Sequence, residues 1–207
     1  MSAAEVINPA LADFVTYIAN GCVVAQVVFR PVEGGFELRH IADRDAAAES
    51  LRTLAVNELR ALAQFTEDNE FRPLKSSPNL RRGWRATAAG AQEVGAALER
   101  LYPGSVPDWF AARRPLPPVT SYRDITGRQS GMYRITALLD DAGVSGVIGE
   151  CCAARCCLKR RLWTVAGMAP DRPQEKSIIP CLEPCAVLLD AARKAVRSEQ
   201  QEKEKKS

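Results

Sequence analysis

Hydrophobic positions fall into two kinds of pattern along this chain. Leu11, Phe14, Val15 and Ile18 recur at i, i+3, i+4 and i+7, the buried stripe of a helix. Asn8 is a good N-cap for it, Pro9 suits its first turn, and Asn20-Gly21 stops it. Residues 22–29 are rich in valine and read as a strand. Glu33-Gly34-Gly35 makes a turn and residues 36–41 return as a second strand, which predicts a β-hairpin. Asp43 or Asp45 then caps a longer predicted helix with Leu51, Leu54, Ala55, Leu59 and Leu62 on one side.

The periodicity fails over residues 71–85. Pro73, Pro78 and Gly83 forbid a regular element through the stretch. It holds five basic residues, Arg72, Lys75, Arg81, Arg82 and Arg85, and no acid among them. Composition alone favours a solvated loop whose Trp84 plugs the core. A sharper expectation is a positive rim for an anionic ligand, because arginine grips carboxylates in bidentate fashion. Helical spacing resumes over 86–101 and closes at Tyr102-Pro103-Gly104, and residues 106–112 predict a short helix.

Arg113-Arg-Pro-Leu-Pro-Pro118 is an extended, proline-rich linker, and the domain boundary is placed there. Residues 122–139 look mainly helical, Asp140-Asp-Ala-Gly143 interrupts them, and Leu188, Ala191, Ala192 and Ala195 mark a last helix. The reading is therefore α+β. A small helix/β-hairpin/helix domain (1–115) is followed by a mainly helical, cysteine-rich metal-cluster domain (116–197) and a charged tail (198–207) with no fixed structure.

Charge and composition narrow the function classes. A net charge of +3 is too mild to argue for nucleic acid, and the basic stretch has too few aromatics for a nucleic-acid platform. No apolar run is long enough to cross a membrane. The start, Met1-Ser-Ala-Ala-Glu-Val, lacks the features of a signal peptide, so a cytoplasmic location is expected. In that compartment clustered cysteines argue for metal or redox chemistry rather than structural disulfides.

Six of the seven cysteines lie between Cys151 and Cys185, in two groups: Cys151, Cys152, Cys156 and Cys157, then Cys181 and Cys185. Groups so far apart converge on one centre if the intervening chain folds back, and thiolates select zinc, copper(I) or iron–sulfur clusters. Lys159, Arg160 and Arg161 favour thiolate and offset the charge of an assembled site. Cys185 opens the final helix, where backbone N–H groups face negative sulfur. Pro180 and Pro184 stiffen the second group. Spacing leaves zinc and an iron–sulfur cluster nearly even. A vicinal-cysteine redox site at 151/152 and 156/157 leaves the convergence unexplained. Cys22, within the valine run, reads as a small buried apolar residue.

Several motifs resemble a known family. They are Leu38-Arg39-His40, Phe71-Arg-Pro-Leu-Lys-Ser-Ser-Pro-Asn-Leu-Arg-Arg-Gly-Trp84, Leu101-Tyr-Pro-Gly104 with Trp109, and Arg128-Gln-Ser-Gly-Met-Tyr-Arg134. The more specific ones are Cys157-Leu-Lys-Arg-Arg-Leu-Trp163 and Pro180-Cys-Leu-Glu-Pro-Cys185. Together they resemble the stabilising domain and [4Fe–4S]-binding domain of sirohydrochlorin cobaltochelatase-like (CbiX-type) proteins, without the chelatase domain. The resemblance implies a [4Fe–4S] cluster on Cys152, Cys157, Cys181 and Cys185, with Cys151 and Cys156 as alternates. It also implies an accessory or electron-transfer role in tetrapyrrole (sirohaem or cobalamin) metallation, and a separate sirohydrochlorin-type chelatase or redox partner. With His40 the only histidine, an independent chelatase is not expected, and His40 itself reads as structural. The rival from another class is a zinc-stabilised interaction module with no redox role.

Overall fold

The computed structural model describes residues 8–65, 68–71, 79–153, 156–172 and 176–206. Its first helix, α1 (Pro9–Ile18), forms as the stripe predicts: Asn8 Oδ1 accepts from the Ala10 N–H at 2.9 Å, and Leu11, Phe14 and Ile18 are buried. The strands β1 (Cys22–Val24), β2 (Val27–Val32) and β3 (Gly35–His40) follow, then β4 (Arg52–Leu54) and a short α2 (Arg60–Gln64). After them come β5 (Trp84–Ala88), α3 (Gly90–Leu101) and α4 (Ser105–Ala112). The five strands make one sheet in the order β1-β2-β3-β5-β4, antiparallel except for the β4–β5 pair.

Register puts Leu38 between Phe29 on one side and Ala86 on the other, so alternate residues of three strands face the same core. Phe14, Leu98 and Leu101 fill it from the helices, and Trp84 from the start of the interior strand β5. The Gly35 backbone approaches β5 so closely that a Cβ there would lie 2.2 Å from the Ala88 carbonyl oxygen, which is why this strand end is glycine.

Three elements depart from the expected pattern. The helical spacing expected over 86–101 begins as strand β5, which pairs with β3 and β4, and the helix α3 starts only at Gly90. The valine run is two strands, because Ala25 turns the chain with a φ of 52°. Gln26 pins that turn: its N–H donates to Tyr102 Oη at 3.3 Å, and its side chain donates to Asn79 and accepts from the Leu80 N–H, each at 2.8 Å. The long helix expected after Asp43 is replaced by short 3-10 turns, β4 and α2. Arg39, buried beside Glu37 at 2.6 Å, takes the carbonyls of Asp43, Arg44 and Ala46 that a helix would have used internally. The Asp43 carboxylate accepts from the Gly83 N–H at 2.7 Å. Tertiary bonds here outcompete local spacing.

The cysteine-bearing half has a second core. α5 (Tyr122–Gly127), a 3-10 stretch (Gly131–Leu138), α6 (Asp141–Cys151) and α7 (Ala186–Lys206) surround Tyr122, Val144, Trp163 and Leu188, all nearly inaccessible. Asp140 does not merely interrupt the helical pattern. It caps α6, accepting from the Gly143 N–H at 2.7 Å. α7 runs on through most of the tail predicted to lack fixed structure, since Glu, Gln and Lys are good helix formers once a packed first half has nucleated the helix. Among the described residues no helix is long and apolar enough to cross a membrane.

Candidate metal centre

A parallel ladder two residues long brings the cysteine groups together. β6 (Arg160–Arg161) pairs with β7 (Pro180–Cys181); the Arg160 N–H donates to the Ile179 carbonyl at 2.8 Å and the Leu162 N–H to the Cys181 carbonyl at 2.9 Å. Ile179, one residue before the ladder, is buried in the first core, whereas Cys181 and Cys185 pack against the second. The second cysteine group is therefore held from both sides.

The result is a cavity of about 590 Å³ lined by all six clustered cysteines. Cys151 ends α6 and Cys152 follows it, its N–H bonded to the Ile148 carbonyl at 2.9 Å. The N–H groups of Cys156 and Cys157 both reach the Ala153 carbonyl at 2.8 Å, a tight turn that aims the pair back toward α6. Cys185 lies just before α7 and its carbonyl takes the first helical bond, from the Leu189 N–H at 3.0 Å. Cys156 is exposed; the other five are half-buried. None of the seven cysteines is bridged.

The thiols feel one another. Cys152 is pushed up to about 12, first by burial and then by the negative charge of Cys157, Cys181 and Cys185, with the Lys176 ammonium opposing. Burial also lifts Cys181 to about 11; the Trp163 indole N–H and Lys159 favour its thiolate, while Cys185 and Cys157 work against it. Cys151 is raised by burial, then by Cys185 and Glu150. Without a metal these thiols are protonated at neutral pH, and loading a metal must displace the protons.

Three groups compensate that charge. Lys159 is held by Asp108 of α4 at 3.0 Å. Lys176 donates to the carbonyls of both Cys152 and Cys157, the latter at 3.0 Å, and so closes the loop between them. The buried Trp163 N–H makes no hydrogen bond of ordinary geometry, yet it acts on the Cys181 sulfur. An indole N–H left over beside a thiol suits an anionic sulfur ligand. The six-sulfur donor set, the cavity and this donor fit an iron–sulfur cluster, whose potential is set by hydrogen bonds to sulfur and by burial. Among the described residues no three His, Cys, Asp or Glu side chains are grouped tightly enough to grip a single ion directly.

Most other sequence candidates fall elsewhere. Arg161 lines the cavity but is buried, and it donates to the carbonyls of Trp163, at 2.7 Å, and Ala169. Arg81 donates to Asn69 at 2.8 Å, and Arg85 donates to Thr53 at 3.1 Å and pairs with Glu37 at 3.6 Å. Arg82 is exposed. These three do not line the cysteine cavity, and Arg72 and Lys75 lie outside the described residues. Trp84 plugs the first core as expected. His40 is structural, its Nδ1 accepting from the Ala42 N–H at 3.0 Å. Cys22 packs against the first core, where burial lifts it to about 11. Lys176 and Asp108 escaped the sequence reading, because neither has a spacing relation to the cysteines. Trp163 stood in the Cys157 motif without an assigned role.

A cysteine-lined cavity set beside a sheet domain defines a thiolate metal-centre type of protein, and comparison with known proteins gives the family. Residues 114–194 match the family model of a 4Fe-4S iron-sulfur cluster binding domain. Residues 10–113, half of the chain, match that of the DR2241 stabilising domain, and the chain belongs to this family. A solved structure is similar over 91% of this chain, with 30% identity and a TM-score of 0.77. It is DR2241 from Deinococcus radiodurans, described as a multi-domain protein with structural similarity to chelatases but also with two additional novel domains. This chain spans 41% of that relative's length. No curated protein matches the chain.

Proposed function

We propose that this protein is an accessory or electron-transfer module that carries one [4Fe–4S] cluster on Cys152, Cys157, Cys181 and Cys185 and serves tetrapyrrole metallation in the sirohaem or cobalamin branch. The observation that carries the reading is the cavity that brings both cysteine groups together; within it Cys152 feels the charge of Cys157, Cys181 and Cys185, and Cys151 that of Cys185, Cys156 and Cys157. Cys156 is the exposed member of the group, which suits it less to a desolvated cluster. When bound, the cluster supplies a one-electron couple. The chain's own residues hold its sulfurs (the β6–β7 ladder and the Lys176 clamp), stabilise their charge (Lys159, Lys176 and the Trp163 N–H) and limit water. The tetrapyrrole connection rests on the chelatase likeness stated for the Deinococcus relative, and implies a separate sirohydrochlorin-type chelatase or redox protein as partner.

Anaerobic purification tests the cluster. A brown protein with matched iron and acid-labile sulfide, bleached by dithionite, is the expected result. A colourless protein with stoichiometric zinc overturns it. Serine at Cys152, Cys157, Cys181 or Cys185 abolishes the colour, whereas serine at Cys22 leaves it. For the partner, co-purification that repeatedly recovers no tetrapyrrole-pathway enzyme removes that part of the reading.

A further inference from the structure

The cavity that gathers the cysteines has a mouth, and the charges displayed there are acidic. Glu150, one residue before Cys151, and Glu183, inside the Cys181–Cys185 loop, both line the cavity and are both exposed. The cations beside them are used internally. Lys159 is held by Asp108 at 3.0 Å, and Arg161 is buried on the carbonyls of Trp163 and Ala169. Among the described residues neither Glu150 nor Glu183 has an ion-pair partner. Each stands beside sulfur that is negative once it holds a metal centre, so the acids oppose the charge of the site itself. A chain of net charge +3 thus shows a local negative face. A cation brought from outside offsets it.

The mouth also offers apolar surface. Pro118 and Leu182 line it, Leu116 stands two residues before Pro118 at 88% exposure, and Val119 follows at 36%. The linker that carries them is tied to the cysteine loop: the Thr120 N–H and Oγ1 both donate to the Leu182 carbonyl, at 3.4 and 3.3 Å. Apolar surface bordered by charge is the anatomy of a protein–protein interface. Cys156, exposed on the same cavity, shows that the site opens directly onto this face.

We propose that the cavity mouth is the docking face for a basic redox protein, one whose own cofactor edge carries an apolar patch ringed by lysine or arginine. The inference rests on the cluster reading, which supplies the reason for a redox partner. Glu150 and Glu183 orient the partner and speed its approach, and Leu116, Pro118 and Val119 give the contact its apolar centre. Docking there brings the partner's cofactor edge over the cysteines and sets its cations against the two acids. A small, salt-sensitive encounter is the kind of interface such partners form.

The test uses the full chain purified anaerobically, with iron and sulfide measured first. The probes are cytochrome c, whose haem edge is ringed by lysines, and flavodoxin, an acidic flavoprotein. Calorimetry at about 20 and about 300 mM salt gives the affinities, since screening separates charge from contact. Carbodiimide coupling, which joins carboxylates to lysines in direct contact, maps the face by peptide mass spectrometry. The expected result is binding of cytochrome c that weakens steeply with salt and couples through Glu150 and Glu183, with no binding of flavodoxin. Glu150→Gln with Glu183→Gln weakens it about three- to tenfold and flattens the salt dependence, with iron content unchanged. Leu116→Ser weakens it at both salt concentrations and leaves the salt dependence as it was. Glu33→Gln with Glu49→Gln, the same charge change on exposed acids of the sheet half, has no effect. A brown chain that does not bind cytochrome c, binds it equally with either pair replaced, or couples through other carboxylates overturns this proposal alone. So does tighter binding of flavodoxin, or self-association of the chain that Leu116→Ser abolishes, which assigns the face to a second copy. A protein without iron and sulfide overturns the cluster reading instead, and with it the reason for a redox partner.

Discussion

The two cores of this protein are built on opposite principles. The first is a five-stranded sheet covered by helices, its interior made of apolar side chains from every element, and it needs nothing from outside the chain. The second is smaller and has little regular sheet, and beside it lies a cavity lined by sulfur. Burial disfavours the thiolate forms of Cys152 and Cys181, the forms a bound metal centre stabilises. One half holds a shape and the other is shaped around a guest. The seam between them is Ile179, a side chain of the cysteine segment lodged in the neighbouring core.

The largest test of this contrast is to remove the guest. Cys181→Ser is expected to abolish the cluster and loosen the second core, so that amide hydrogen exchange speeds up across α6 and the first turns of α7 while the sheet stays protected. Equal loss of protection in both halves would break the comparison.

Next comes the seam. Ile179→Ala removes a side chain only 1% exposed and is expected to cost about 2–5 kcal/mol in denaturant unfolding of the sheet half. It also lowers the iron retained per chain, because the β7 strand loses its anchor. Full iron retention would show that the ladder to β6 suffices.

A subtler change is Lys176→Gln, which keeps a donor for the Cys152 and Cys157 carbonyls but deletes the charge. Reduction adds negative charge to the site, so the midpoint potential is expected to fall, with Lys176→Arg restoring it. An unchanged potential in a redox titration would reduce Lys176 to a structural clamp.

The smallest effect belongs to the first core. Cys22 is lifted from 9.0 to about 11 by burial alone. Its neutral form is the one the fold prefers, so its contribution is complete below pH 9.0 and is lost as pH rises through about 11, where the unfolded chain has already released its proton. Cys22→Ala should flatten that part of the stability–pH curve, measured on metal-free protein by urea midpoints. An unaltered slope would assign the effect to other groups.

What could be read in advance follows the same division. α1, the β2–β3 hairpin and α4 were legible because cap, turn and stripe lie within a few residues of one another. The β1–β2 turn was missed although Gln26 broke the valine run, because its partners Asn79, Leu80 and Tyr102 are far along the chain. The helix expected after Asp43 failed for the same reason, with Arg39 and Gly83 supplying bonds that no local spacing announces.

At the centre, the amino-acid order alone determined the chemistry: soft sulfur donors in two groups, basic neighbours, and prolines that stiffen the second group. Only the folded chain decided that the groups meet, through the β6–β7 ladder and the burial of Ile179. It also supplied Asp108, Lys176 and the Trp163 N–H around them. Donor type is a property of each residue and survives in a list. Proximity between residues decades apart in the chain exists only once two cores have packed and fixed the distance between their edges.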